Sequence, residues 1–363
     1  MHQYLDLVQH VLDHGTRKEN RTGVDTLSTF GHYYEHDLRD GFPLLTTKSV
    51  SWKNIVCEML WFLSGQTDVG ILKQHGCKFW DAWADGNGKV PSAYGNFWRQ
   101  FPVHGTRSSS DHNIDGDDCL AFNDQIAWVL AELKRNPMSR RMVVSAWAPS
   151  NAQTSKLPPC HCLFMFNVQN HKPKVVHYGT NDGTMPACVA DRYERTTRGH
   201  ILPRGEGFNE DLNWCPECQK VMPRLQNLES KDPQRLCLHL TQRSCDVALG
   251  VPYNIASYAL LLSLFSHFTG IQPGIFAHTL VDAHIYCAKP DGSMADLDHV
   301  PGLKEQLTRT PRKLPKLRIS DEIKSLDDIE KLMKPEVTTA EVMRHFVLEG
   351  YEPHPAINFK VAV

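Results

Sequence analysis

Apolar residues along the chain change their period several times, and each change marks a predicted element. Between residues 2 and 15 they fall at Leu5, Leu7, Val8, Val11 and Leu12, close to the stripe of an amphipathic helix. RKENRTGVDTLSTFGHYYEHDL, residues 17–38, reads as a charged, glycine-containing loop leading into strands. SWKNIVCEMLWFLSG (51–65) opens on serine, carries apolar Ile55, Val56, Met59, Leu60 and Phe62, and stops at glycine, so it predicts a helix. FNDQIAWVLAELKRNP (122–137) predicts an amphipathic helix ended by proline. RMVVSAW (141–147), CHCLFMFNV (160–168) and CLHLTQRS (237–244) have β character. YNIASYALLLSLFSHFTG (253–270) is apolar nearly all round, as a helix in the middle of a core is. Strand and helix runs mix without a regular βαβ beat, which favours an α+β fold over a doubly wound sheet.

Residues 169–235 break this pattern. They are rich in Gly, Pro, Asn, Arg and Asp, have few periodic apolar positions and lie between two predicted strands, so they read as an insertion with a small fold of its own. Residues 289–340 are rich in Lys, Asp and Pro with short strands such as KLRIS, and the tail GYEPHPAINFKVAV ends apolar. No internal repeat stands out.

Composition changes this picture little. A length of 363 residues with 41% hydrophobic and 22% charged residues fits a globular protein with a sizeable core. A formal charge of −2 gives no reason to expect nucleic acid or a membrane surface as partner. The N-terminus lacks the charged and apolar regions of a signal peptide, and no apolar run approaches the ~18 residues of a membrane span. Eleven scattered cysteines then read as reduced thiols of a cytoplasmic protein, with metal binding or catalysis as their special uses.

Two residues draw attention on their own chemistry. Cys160 sits at the mouth of a strand behind a rigid Pro158-Pro159, which suits either packing, a metal ligand or a nucleophile. Glu58 lies within an apolar helix, on its wet face or as a carboxylate with raised pKa. Arg21, Arg140, Arg141 and Arg243 would favour a thiolate if they converged on it, which their spacing cannot show.

Longer motifs narrow these alternatives. LPPCH around Cys160, QRSCDVALGVPYNIASYALL (242–262), ENRTG (19–23), FPLLTTK (42–48), EMLWFLSG (58–65), FWDAWAD (79–85), YGNFWR (94–99), SRRMVVSAW (139–147), HIY (284–286) and YEPHPAI (351–357) resemble thymidylate synthase, in that family's order and over nearly the whole chain outside the insertion. The resemblance implies a single α+β catalytic domain, a mixed β-sheet layer packed by helices, acting as a homodimer. It implies that Cys160 adds to C6 of dUMP and that C5 then takes a one-carbon unit from the folate 5,10-methylenetetrahydrofolate. Arg21, Arg140, Arg141, Arg243 and Ser244 resemble the phosphate grip, with Arg140 and Arg141 lent across the dimer and Arg243 also beside the thiol. Asn254 matches the reader of the pyrimidine edge, where the related dCMP hydroxymethylases carry aspartate, and His284 and Tyr286 match the pair on the sugar 3′-hydroxyl. Glu58 matches a proton-relaying glutamate, and Tyr94 and His161 match residues on the cysteine's side of the cavity. Trp80, Trp83, Leu157, Asp246, Gly250 and Tyr253 match folate-side positions, and the tail through Val363 matches a segment that closes over the ligands.

The chain also departs from that family. The insertion holds Cys215 and Cys218 in WCPEC, a spacing suited to tetrahedral zinc, with Cys188, His177, His200 and His171 as further ligands or, equally, reduced thiols in a loop. Where the family has Asn and His after HxYx, the chain reads Ala288 and Lys289; Ala148 replaces an Asn, and MFNV (165–168) replaces QFYV. Two completions of the reaction follow. Hydride from the folate gives dTMP and dihydrofolate, which retained Trp80 and the tail favour. Water gives 5-hydroxymethyl-dUMP and tetrahydrofolate, with which the insertion and Asn167 are compatible. A non-catalytic RNA-binding relative would draw its charge from Arg192, Arg195, Arg198 and Arg204, which neighbouring acids nearly offset.

Overall fold

The computed structural model describes residues 2–20, 22–102, 122–152, 155–170, 175–178, 187–190, 214–215, 220–221 and 234–361. Strands β1 (Thr16–Lys18), β2 (Asp25–Asp37), β3 (Val143–Ser145), β4 (His161–Asn170), β5 (Gln234–Gln242), β6 (Cys245–Asp246) and β7 (Gln272–Cys287) form one sheet in the order β1-β2-β7-β5-β4-β3, with β6 also paired to β7. The sheet is mixed. β1–β2, β2–β7 and β3–β4 are antiparallel, whereas β5 and β6 run parallel to β7. The long strand β7 was not evident in the sequence, because QPGIFAHTLVDAHIYC opens on Pro and Gly and interleaves His and Asp with its apolar residues.

Neighbouring side chains on a strand point to opposite faces, and β2 shows the result: Tyr34 is buried whereas Tyr33 is 53% exposed. The buried face is covered by the helix Gly250–Thr269, longer at its start than the predicted 253–270. Phe265 stacks on Phe166 of β4 at 4.4 Å, and Tyr258 lies over Phe276 of β7 at 6.4 Å. Each such fully buried side chain contributes about 1.5–3 kcal/mol of apolar burial.

The predicted 51–65 helix spans Trp52–Leu63, and its first turn is capped by Ser51, whose side chain accepts the Asn54 N–H. It meets the short helix Tyr94–Arg99 backbone to backbone. A Cβ on Gly95 would lie 2.4 Å from the Phe62 carbonyl oxygen, so only glycine lets the two helices approach closely enough to set Tyr94 beside Phe62. The helix Gln125–Arg135 starts on Asp124, whose carboxylate accepts the Ala127 N–H.

The KLRIS segment is observed as the strand Lys316–Ile319, antiparallel to Phe346–Glu349. Beyond it the Tyr351 hydroxyl donates to the Leu45 carbonyl at 2.9 Å and accepts the Val50 N–H at 3.0 Å. Phe359 then lies against the helix Val300–Leu307 at Gly302, where a Cβ would come within 2.6 Å of its ring. No helix among the described residues is long and apolar enough to cross a membrane.

The chain divides into two compact units, one made of Met1–Gln169 and Arg235–Val363, the other of Asn170–Gln234. Within the second, Val175–Tyr178 pairs with Ala187–Ala190 and Trp214–Cys215 pairs with Lys220–Val221. Cys218, His171 and His200 lie outside the described residues, as do the side chains of Cys215, Cys188 and His177. Among the described residues no group of three or more His, Cys, Asp or Glu is placed to hold a metal.

Candidate active site

Arg243, just past the end of β5, holds the Pro-Pro turn that presents the thiol. Its backbone N–H donates to the Cys160 carbonyl at 2.9 Å, while Nε and Nη2 donate to the carbonyls of Pro159 and Pro158 at 2.9 and 2.8 Å. Charge-assisted bonds of this kind fix a turn that has no ladder partners of its own. The guanidinium rides over the Trp147 ring at 5.5 Å. Cys160 is reduced and half-buried at the mouth of β4.

The Tyr94 hydroxyl accepts the N–H groups of Cys160 and His161 at 3.0 and 3.3 Å, and its ring stacks flat on His161 at 4.6 Å. Burial, then the neighbouring Cys160, holds this hydroxyl protonated well above the usual tyrosine range. His161 is buried, with Nδ1 3.1 Å from the Tyr258 hydroxyl and a side-chain bond to Asn254. Burial pushes its pKa down to about 3, partly opposed by Asn254, so the ring is neutral around pH 7.

Glu58 is partly buried rather than on an open wet face. Trp80, wedged against Phe62 and Tyr94 at 5.8 and 5.7 Å, donates its indole N–H to the Glu58 carboxylate at 2.7 Å. The surroundings are otherwise apolar, and desolvation outweighs that one bond, raising the carboxyl pKa from 4.5 to about 7. Trp80, matched to the folate side, therefore also fixes the Glu58 carboxylate.

Asn254 stands one turn into the Gly250–Thr269 helix, with Tyr258 one turn further on the same face. Its Oδ1 accepts from Gln242 Nε2 at 3.1 Å. Asp246 caps the chain entering this helix, accepting the Ala248 and Leu249 N–H groups, each at 3.0 Å. Tyr253 meets Phe79 edge-on at 5.0 Å, and Leu157 and Trp83 pack half-buried on the same core. Asp246 is paired in register with His284 of β7, which stands perpendicular to Tyr286 at 5.5 Å.

Cys160, Glu58, Tyr94, His161, Arg243 and Asn254 are thus joined by direct contacts or through Trp80 and Gln242. Arg140 and Arg141 are exposed on the turn before β3, Ser244 offers its carbonyl to Gln242, and Arg21 and Val363 lie outside the described residues. Gln242, Tyr258, His278 and His299 were not singled out from the sequence. The only signals were the spacing of Tyr258 from Asn254 and the position of Gln242 beside Arg243.

A histidine not singled out in the sequence, His299, packs against Tyr286 although Lys289 follows that tyrosine in the chain. The chain loops out over residues 288–298 and returns, so that the His299 N–H donates to the Tyr286 carbonyl at 3.0 Å and its ring packs on Tyr286 at 5.5 Å. Its Nδ1 is 3.9 Å from the Asp246 carboxylate and its Nε2 is 2.9 Å from the Lys360 carbonyl of the tail.

A cysteine whose turn is held by a guanidinium, a carboxyl poised near neutrality and an amide linked to the same cluster can together bind and activate an electrophilic ring. The family model for thymidylate synthase matches residues 2–182 and 211–363. The mixed sheet, the clustered site and that match establish that the chain belongs to the thymidylate synthase family, whose members are one-carbon transferases.

Proposed function

We propose that the chain converts dUMP and 5,10-methylenetetrahydrofolate into dTMP and dihydrofolate. The observation that carries this reading is the run of contacts from the Cys160 turn through Tyr94 and His161 to Asn254, with Glu58 joined to Tyr94 through Trp80. The Cys160 thiolate forms a bond to C6 of the uracil ring while the C5–C6 π pair moves toward C5 and O4. Asn254 and Glu58 meet the negative charge that develops at O4. C5 then bonds to the folate methylene and loses its proton, for whose removal Tyr94 is the candidate beside Cys160. The C5 electron pair then expels tetrahydrofolate by breaking its bond to the methylene, which leaves an exocyclic methylene on the Cys160-bound ring; hydride from that tetrahydrofolate reduces it to methyl as the C5–C6 double bond re-forms and the thiolate leaves. Arg21, Arg140, Arg141, Arg243 and Ser244 serve the phosphate, His284 and Tyr286 the sugar. Trp83, Leu157, Asp246, Gly250, Tyr253 and the tail through Val363 serve the folate.

A dry cavity favours hydride over water, and several features work in that direction. Trp80 covers the Glu58 carboxylate, and Phe359 and Lys360 are held down by Gly302 and His299. Asn167, the polar replacement on β4, accepts a hydrogen bond from Gln169 further along the same strand from Cys160. The sheet also carries exposed apolar residues, Phe30 at 88% and the directly paired Val143 and Met165 at 38% each. Such a face suits a second copy of the chain, toward which exposed Arg140 and Arg141 would reach.

Asn254→Asp is the test of base reading. A carboxylate repels O4 of uracil and accepts from the cytosine amino group. The ratio of kcat/KM for dUMP over dCMP is therefore expected to fall by about 100-fold, the size of two exchanged polar contacts. Undiminished dUMP selectivity would remove Asn254 from this role.

A further inference from the structure

An asparagine amide distinguishes uracil from cytosine only while its polarity is held. Facing uracil, it must turn N–H toward O4 and oxygen toward N3–H; rotated by half a turn, it matches the amino group and bare N3 of cytosine equally well. The protein therefore needs something that prevents Asn254 from turning over.

The structure holds such a device in a row of buried polar side chains beneath the site. Gln242 Nε2 lies 3.0 Å from the Ser244 carbonyl and 3.1 Å from Asn254 Oδ1, and Gln242 Oε1 lies 3.0 Å from His278 Nε2. His278 Nδ1 in turn lies 2.8 Å from the Tyr34 hydroxyl. A backbone carbonyl only accepts, so the Gln242 group facing Ser244 is its NH2, whichever way the amide would otherwise turn. Its second N–H then requires oxygen from Asn254. Its own oxygen requires a donor, which fixes His278 as the tautomer with hydrogen on Nε2. The bare Nδ1 requires a donor as well, and Tyr34 O–H supplies it. His278 is fully buried and its pKa is pushed well below the usual histidine range by that burial, so a neutral ring must choose one tautomer.

We propose that Tyr34 and His278 are positioning residues for base selection: through the tautomer of His278 and the amide of Gln242 they hold Asn254 in the polarity that reads uracil. This inference rests on the reading of Asn254 given above. Without Tyr34 O–H the His278 proton can move to Nδ1, and Nε2 would then face Gln242 Oε1 lone pair to lone pair. Gln242 would then be held by the Ser244 carbonyl alone, and its hold on the polarity of Asn254 would weaken.

The test compares kcat/KM for dUMP and dCMP in the wild type, Tyr34→Phe, His278→Leu and His278→Gln. Tyr34→Phe removes one oxygen and keeps the ring, so it remains informative if His278→Leu fails to fold. Loss of one buried hydrogen bond is expected to lower the dUMP-to-dCMP ratio about tenfold in Tyr34→Phe and His278→Leu. His278→Gln keeps an N–H directed at Gln242 and is expected to retain the ratio within about threefold. A merely structural role would lower kcat on both nucleotides together and leave the ratio in place. Wild-type selectivity for dUMP with an unchanged ratio in Tyr34→Phe overturns this inference alone. A wild type inert toward dUMP overturns the reading of the reaction and this inference with it.

Discussion

Cys160→Ala is expected to lose the covalent complex with 5-fluoro-dUMP and methylenetetrahydrofolate entirely, and turnover by at least ~10⁴-fold, while nucleotide binding survives. The separation of the two effects follows from how the turn is held. Arg243 bonds the carbonyls of Pro158, Pro159 and Cys160, and Tyr94 takes the Cys160 N–H. None of these bonds uses the sulfur atom, so alanine leaves the turn, the guanidinium and Asn254 where they are. Mass spectrometry of the denatured complex reads the adduct, and titration with dUMP reads the binding. An undiminished adduct in the variant would remove Cys160 from the chemistry.

Glu58→Gln is expected to lower kcat by about 10²–10⁴-fold, the usual contribution of a positioned acid–base group. It is also expected to remove a pH dependence. The wild-type carboxyl, raised to about 7 by burial, must be protonated when it hands a proton toward O4. Wild-type rate should therefore fall as pH rises through about 7, whereas the glutamine variant should be flat there. Stability should move in the same direction. The folded pKa lies above the unfolded one, so below about 4.5 both states are protonated and no stability is lost. Between 4.5 and 7 the unfolded chain is the first to release its proton, and folding stability falls with rising pH. Relative to Glu58→Gln, the wild type is expected to lose roughly 2–3 kcal/mol across that window in urea titrations. A parallel stability profile in the two proteins would place the carboxyl in water and undo the relay.

What the sequence made legible was local. The helix at 51–65 could be read because its serine start, apolar stripe and glycine stop lie within one segment, and the observed Trp52–Leu63 follows them. The motif around Cys160 could be read as a site, but the sign of the Glu58 shift could not be decided from a helix that has both a wet and a dry face. That sign is set by the burial the fold supplies, which outweighs the opposing bond from Trp80. The strand Gln272–Cys287 escaped because its polar residues serve partners far away in sequence. His278 meets Tyr34 across 244 positions and Gln242 across 36, so nothing in its own neighbourhood marks it as buried. His299 escaped for a simpler reason: residues 288–298 displaced it from the spacing at which a histidine was sought.

The central claim is that hydride, delivered to a methylene built on a Cys160-bound uracil, completes the reaction. It is tested most directly by following dihydrofolate absorbance and dUMP consumption in one cuvette with methylenetetrahydrofolate. One dihydrofolate formed for each dUMP consumed is the expected result; dUMP consumed while the absorbance stays flat would contradict it.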